Sequence, residues 1–113
     1  MANLQEWLNK FREGWTKKDI DAVLDLFSDD VEYYESQNKK LKNKEEIKEA
    51  WKEIAPQKNI KLRLRILAKN NKDKHKVRWE LSFFNKRPYH YKGFYFISLN
   101  NESKCNYFLQ EEN

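Results

Sequence analysis

At Phe27-Ser-Asp-Asp-Val-Glu-Tyr-Tyr-Glu-Ser36 the hydrophobic period of this chain changes, and that change leaves few folds open. Upstream, apolar residues recur every three or four positions; downstream, most of them alternate. The first pattern buries one stripe of a helix and the second buries one face of a sheet. A chain that uses them in blocks is an α+β fold, with helices gathered on one side of a sheet. Its 113 residues are the length of a single domain, taken here as 1–113. A domain of that size buries roughly two thirds of the surface its unfolded chain exposes. Seven Phe, six Tyr and four Trp supply the bulk to do so without disulfides.

Asn3 followed by Glu6 predicts a capped helix start, and Leu4, Trp7, Leu8, Phe11 and Trp15 then form one apolar stripe. Gly14 fits a fraying last turn. Asp19 predicts the cap of a second, shorter helix with the stripe Ile20, Val23, Leu24 and Phe27. Ser28-Asp29-Asp30 ends it, and Val31 opens a strand with Tyr33 and Glu35 on one face and Glu32 and Tyr34 on the other. Gln37–Lys44 reads as a loop. Asn43 with Glu46 caps a third helix carrying Ile47, Ala50, Trp51 and Ile54, and Pro56 ends it.

From Asn59 the period is two. Ile60, Leu62, Leu64 and Ile66 alternate with Lys61, Arg63 and Arg65, a strand with one buried face and one wet, basic face. Asn70–Lys74 reads as a hairpin turn. The next strand puts Val77, Trp79, Leu81 and Phe83 on one face, and Asn85–Pro88 turns again. A strand over Tyr89–Leu99 carries Gly93, a bulge or close-approach position. After a turn at Asn100–Ser103, a closing strand over Lys104–Gln110 places Asn106, Phe108 and Gln110 opposite Cys105, Tyr107 and Leu109.

Charge is uneven along this order. Residues 1–30 carry a net −3 and the remainder a net +8, with nine basic residues and one acid, Asp73, between 58 and 78. Such a run attracts polyanions or simply solvates a strand face and a hairpin tip. The basic face lacks interleaved aromatics for stacking bases, so nucleic acid ranks last among the partners. His75 and His90 stand without a carboxylate or Cys at ligand spacing, which gives no metal site, and no phosphate loop or nucleophile elbow calls for a cofactor. The lone Cys105, the absence of a signal-peptide pattern and the lack of a run of roughly 20 apolar residues point to a soluble cytoplasmic protein without a membrane partner.

The run Trp15-Thr-Lys-Lys-Asp-Ile-Asp-Ala-Val-Leu-Asp-Leu-Phe-Ser-Asp-Asp-Val31 carries a resemblance, together with Ile47-Lys-Glu-Ala-Trp51, Val77-Arg-Trp79 and Lys92-Gly-Phe-Tyr-Phe-Ile-Ser-Leu99. In this order they resemble the nuclear transport factor 2-like superfamily, which includes the SnoaL-like cyclases and the ketosteroid isomerases. The resemblance spans essentially the whole chain. It implies a cone-shaped barrel, three N-terminal helices packed on a curved, mainly antiparallel sheet, with a deep pocket and often a homodimer through the sheet. The same fold hosts isomerases, cyclases, dehydratases and non-catalytic binding or assembly domains, so activity has to be argued from the site.

By that resemblance Glu35 falls where the isomerases carry their catalytic base. Held among Tyr33, Trp51 and Trp79 it would have a raised pKa suited to proton abstraction; exposed beside the lysine loop it would instead pair with Lys39 or Lys40. Tyr95 falls near a donor to the enolate oxygen, or is a core aromatic. Phe11 stands where the isomerases carry a donor tyrosine and cannot donate, which argues against steroid-isomerase chemistry. Phe11, Trp15, Tyr33, Trp51 and Trp79 are the expected pocket wall, with Asn106, Phe108 and Gln110 on the strand face that lines the family's pocket. Three readings follow. The first is acid–base chemistry on an apolar, carbonyl-like small molecule, with Glu35 as base and Tyr95 as donor. The second is a non-catalytic ligand-binding or assembly module, and the third is polyanion binding through the Lys61-Arg63-Arg65-Arg78 face.

Overall fold

Three side-chain caps begin the helices where the sequence places them. A computed structural model of the chain describes residues 3–69 and 74–112. The Asn3 carboxamide accepts from the Glu6 amide at the head of α1 (Leu4–Thr16). Asp19 accepts from the Ala22 amide ahead of α2 (Ile20–Leu24), and Asn43 from the Glu46 amide ahead of α3 (Lys44–Trp51). Each satisfies one of the donors that a helix start leaves without an internal partner. A single 3-10 turn, Lys52–Ile54, extends α3 toward Pro56.

The sheet has six strands: β1 (Phe27–Ser36), β2 (Lys39–Leu41), β3 (Lys58–Lys69), β4 (His75–Phe84), β5 (Pro88–Leu99) and β6 (Cys105–Glu112), in the order β2-β1-β6-β5-β4-β3. All neighbours are antiparallel except β1 and β6, which run parallel. The sheet is not closed; β2 and β3 are its edges. The helices lie on one face, and α1 crosses it. Trp7 of α1 meets Phe27 and Phe108 on the β1–β6 side, and Trp15 near the other end meets Trp51 of α3. One apolar cluster joins all these elements.

Several boundaries differ from the sequence reading, each for a local reason. Phe27 belongs to β1 rather than to the α2 stripe: it sits three residues after Leu24, a spacing that fits a helix, but it pairs with Cys105 of β6. Residues 37–44 are not all loop, since Lys39–Leu41 folds back on β1 as a short edge strand. Gly14 is not at a fraying end. It is buried inside α1, and a Cβ there would stand 2.8 Å from the Val23 side chain, so its bareness lets α2 approach. The hairpin turn expected at Asn70–Lys74 falls mostly on residues 70–73, which lie outside the described residues; the last described pair of the flanking strands is Lys69 with His75.

Gly93 is a close-approach position and not a bulge, for the ladders on both sides run through it without a shift. A Cβ at this residue would lie 1.9 Å from the Glu111 carbonyl oxygen and 2.9 Å from the Trp79 ring. Backbone on one side and a buried indole on the other leave nowhere to move. Gly93→Ala is expected to destabilise the protein by about 1–3 kcal/mol, the usual cost of overpacking; a urea midpoint equal to that of the wild type would contradict this packing.

Candidate functional site

Side chains from α1, α3, the segment after it, and strands β1, β4, β5 and β6 enclose a cavity of about 470 Å³ on the helix-covered side of the sheet. The alternation of β1 brings Tyr33 and Glu35 to this side, and that of β4 brings Trp79, Leu81 and Phe83. α3 contributes Ala50 and Trp51, α1 contributes Trp15, and Tyr89 and Tyr91 of β5 close one end. The rings of Phe83, Tyr89 and Tyr91 stack on one another at 5.1–6.2 Å between centroids.

Of the expected pocket residues, Trp15, Tyr33, Glu35, Trp51, Trp79 and Gln110 line this cavity. Phe11, Tyr95 and Phe108 lie beneath it. Phe11 and Phe108 are fully buried and Tyr95 nearly so, and the three rings pack on one another at 4.8–5.9 Å. Tyr95 also stacks on the underside of the wall, 5.6 Å from Trp79. Asn106 is outside the wall as well. The β5–β6 ladder steps from Ser98–Tyr107 to Leu99–Cys105, so Asn106 has no partner across the strand and drops out of the alternation. Its side-chain oxygen is buried and without a hydrogen bond among the described residues.

Glu35 sits at the rim, its side chain 30% exposed, with the Lys39 ammonium 3.0 Å from its carboxylate. The carboxylate lines the cavity and is at the same time paired with a lysine of the β1–β2 hairpin. That pair raises the pKa of Lys39, first by hydrogen bonding and then by charge. Glu53, which sequence reasoning passed over, lines the same cavity. Its pKa is raised by partial desolvation and by the nearby Glu35 charge, with Lys39 acting in the opposite direction.

Indole hydrogen bonds fix the wall. Trp51 Nε1 donates to the Tyr33 hydroxyl at 3.1 Å, and Trp15 Nε1 donates to Oε1 of the buried Gln57 at 3.1 Å. Burial pushes the Tyr33 phenol well above its ordinary pKa, with the neighbouring Glu35 charge adding to the rise. Tyr33 is thus a neutral donor at any physiological pH. Trp79 Nε1 is buried without a partner among the described residues. No cluster of His, Cys, Asp and Glu able to hold a metal occurs among the described residues.

The basic strand face is partly neutralised. Arg65 pairs across the ladder with Arg78 and Arg63 with Glu80, and Arg78 Nε stands 3.5 Å from the Glu80 carboxylate. Cys105 is a buried free thiol whose pKa is raised by desolvation, so it is unreactive packing material. No helix among the described residues is long and apolar enough to cross a membrane.

Residues 8–104 match the model of the SnoaL-like domain family. No protein with a curated description matches the sequence. Among solved structures, a nuclear transport factor 2-like protein of unknown function from an Exiguobacterium species superposes with a TM-score of 0.80 at 16% identity, over 95% of this chain and 98% of its own. A candidate polyketide cyclase from Xanthomonas campestris gives 0.76 at 14% identity, over 96% and 89%. A candidate scytalone dehydratase from Novosphingobium aromaticivorans gives 0.76 at 12% identity, over 97% and 81%. At these identities the likeness is one of fold.

The Glu53 environment makes a prediction of its own. Its folded-state pKa lies above the unfolded one, so its contribution to stability is present at low pH and is lost as pH rises through the folded value. Glu53→Gln is therefore expected to be more stable than the wild type at pH 7–8 and no better near pH 4. Because Glu53 is largely solvent-exposed, screening keeps the gain below about 1 kcal/mol. Thermal melts across that pH range test it, and a loss of stability at pH 7–8 would show that the carboxylate is paired.

Proposed function

We propose a function for this chain as what it is, a member of the SnoaL-like domain family: binding of a small carbonyl-like molecule in the cavity, with acid–base chemistry of the isomerase, cyclase or dehydratase type. The observation that carries this reading is the pairing, on one strand, of a carboxylate and a neutral phenol that both line the cavity, Glu35 and Tyr33. Glu35 is the base that removes a proton next to a carbonyl. Tyr33 is the donor that stabilises the oxygen on which charge develops. The Trp51 N–H fills one lone pair of the Tyr33 hydroxyl and holds it, leaving the phenol's own proton for the substrate.

This assignment moves the donor role from Tyr95 to Tyr33. Tyr95 lies under the cavity and reaches it only through the ring of Trp79, whereas Tyr33 is two residues from Glu35 on the same face. Gln110 is a polar orienting group in the wall. The lone buried thiol fits a protein of a reducing, cytoplasmic compartment.

The test is proton exchange into a panel of cyclic ketones and enones in heavy water, followed by NMR. The wild type is expected to accelerate exchange for at least one member. Glu35→Gln should lower that rate by about 10²–10⁴-fold without changing the melting temperature, and Tyr33→Phe by about 10²-fold. Full activity in Glu35→Gln would remove it as the base. Binding without exchange would leave the non-catalytic ligand-binding module of the same fold.

The outer face of the sheet favours a homodimer. Tyr34 pairs with Leu109 and Leu109 with Phe96 across three strands, and Phe94 and Tyr107 flank them, all half-buried on the side away from the helices. Lys76 covers part of Phe94 and Phe96. Sedimentation should show a dimer that Phe96→Glu dissociates, and a monomeric wild type at high concentration would end this reading.

A further inference from the structure

The cavity has a sign. Glu35, Glu53 and Glu112 all belong to its wall, and among the described residues no Lys, Arg or His does. This happens in a chain with 23 Lys and Arg against 18 Asp and Glu, so the imbalance runs against the composition. Cations just outside the wall include Lys39, Arg87 and Lys18, whose ammonium donates to the Ala55 carbonyl. Lys39 is engaged with Glu35 at the rim, and Arg87 lies over the ring of Tyr89 at 4.8 Å, outside the residues that form the wall. Lys39 can compensate one carboxylate of the three.

The remainder of the wall is mainly aromatic. Trp15, Trp51 and Trp79 present indoles, and Tyr33, Tyr89 and Tyr91 present phenols. The face of each ring carries negative potential and attracts a cation lying over it. Carboxylates beside such surfaces disfavour an anionic occupant and lose water to a neutral one without gaining a partner. A cationic occupant reverses both effects, because ring faces and carboxylates then act in the same direction.

We propose that the cavity selects an organic ammonium, a tertiary or quaternary amine whose charged head is held by the aromatic wall and by Glu53 and Glu112. The proposal deepens the small-molecule reading above and rests on it, naming the charge of the molecule that the site accepts. Glu35, already paired with Lys39, stays available for proton transfer, and the ammonium is recognised by the other two carboxylates. Alkylated nitrogen suits this wall better than a primary ammonium, since its methyl groups bury against rings and it gives up less hydration.

The experiment compares acetylcholine with 3,3-dimethylbutyl acetate, its neutral isostere with carbon in place of the ammonium nitrogen. Binding is followed by tryptophan fluorescence and by NMR shifts of the indole N–H signals. The cation is expected to bind at least about tenfold more tightly than the isostere, about 1.4 kcal/mol. That preference should shrink in Glu53→Gln and further in Glu53→Gln with Glu112→Gln. Equal or tighter binding of the isostere overturns the ammonium proposal and leaves the cavity a small-molecule site. An undiminished preference in the double variant overturns the role of the two carboxylates. Failure of both esters to bind, up to the solubility of the neutral one, overturns the small-molecule reading itself and the proposal with it.

Discussion

The Phe11 ring is the contact on which the rest of the structure depends. It is fully buried, and its centroid lies 5.2–5.9 Å from those of Trp7, Trp15, Trp51, Tyr95 and Phe108. Those partners come from α1, α3, β5 and β6, so one side chain ties α1 to α3 and both to the sheet. Aromatic pairs in edge-to-face geometry each add about 0.5–1.5 kcal/mol beyond the burial itself, and four of the five meet Phe11 steeply or tilted rather than flat. Phe11 also decides where the cavity begins. Its ring lies beneath the cavity, packed edge-on against Trp15 and Trp51 of the wall.

The two polar groups that β1 brings to the cavity differ in burial. Tyr33 is the innermost of them, anchored by the Trp51 N–H, and Glu35 follows one strand repeat outward, where water and Lys39 still reach it. A strand is a stiff ruler for such a pair, since alternate residues share a face and stand a fixed distance apart. The Trp51–Tyr33 hydrogen bond gains strength from its apolar surroundings, while the Glu35 carboxylate stays at the edge beside Lys39.

The helices were largely legible in the sequence because their signals are local. Asn3, Asp19 and Asn43 each announce a helix within three residues, and the alternation from Ile60 onward announces the sheet just as directly. Features that depend on a neighbour were not legible. Lys39-Lys40-Leu41 has no pattern of its own and is a strand only because β1 lies beside it. Asn106 was assigned to the pocket face by counting alternate residues, and the step in the β5–β6 ladder breaks that count. The site divides the same way. Glu35 and Trp51 could be placed from their positions in single elements, whereas Glu53, Glu112, Tyr89 and Tyr91 meet only because three segments converge. Gly14 and Gly93 are both close-approach positions, and in each case the approaching group comes from another element.

The parallel pairing of β1 with β6 bears on how the chain reaches this structure. β6 sits between β1 and β5, two strands that are far apart in sequence, and it supplies Phe108 to the stack with Tyr33. Until that segment is in place, β1 with its hairpin and the β3–β5 meander are two separate half-sheets, each with an unpaired edge and an uncovered apolar face. The meander is built from local hairpins and can form early, but joining the halves requires closing the longest loop in the fold, which is the slow step in sheets dominated by non-local pairs. β6 therefore covers the inner edges of both halves, edges that would otherwise be open to pairing with another molecule.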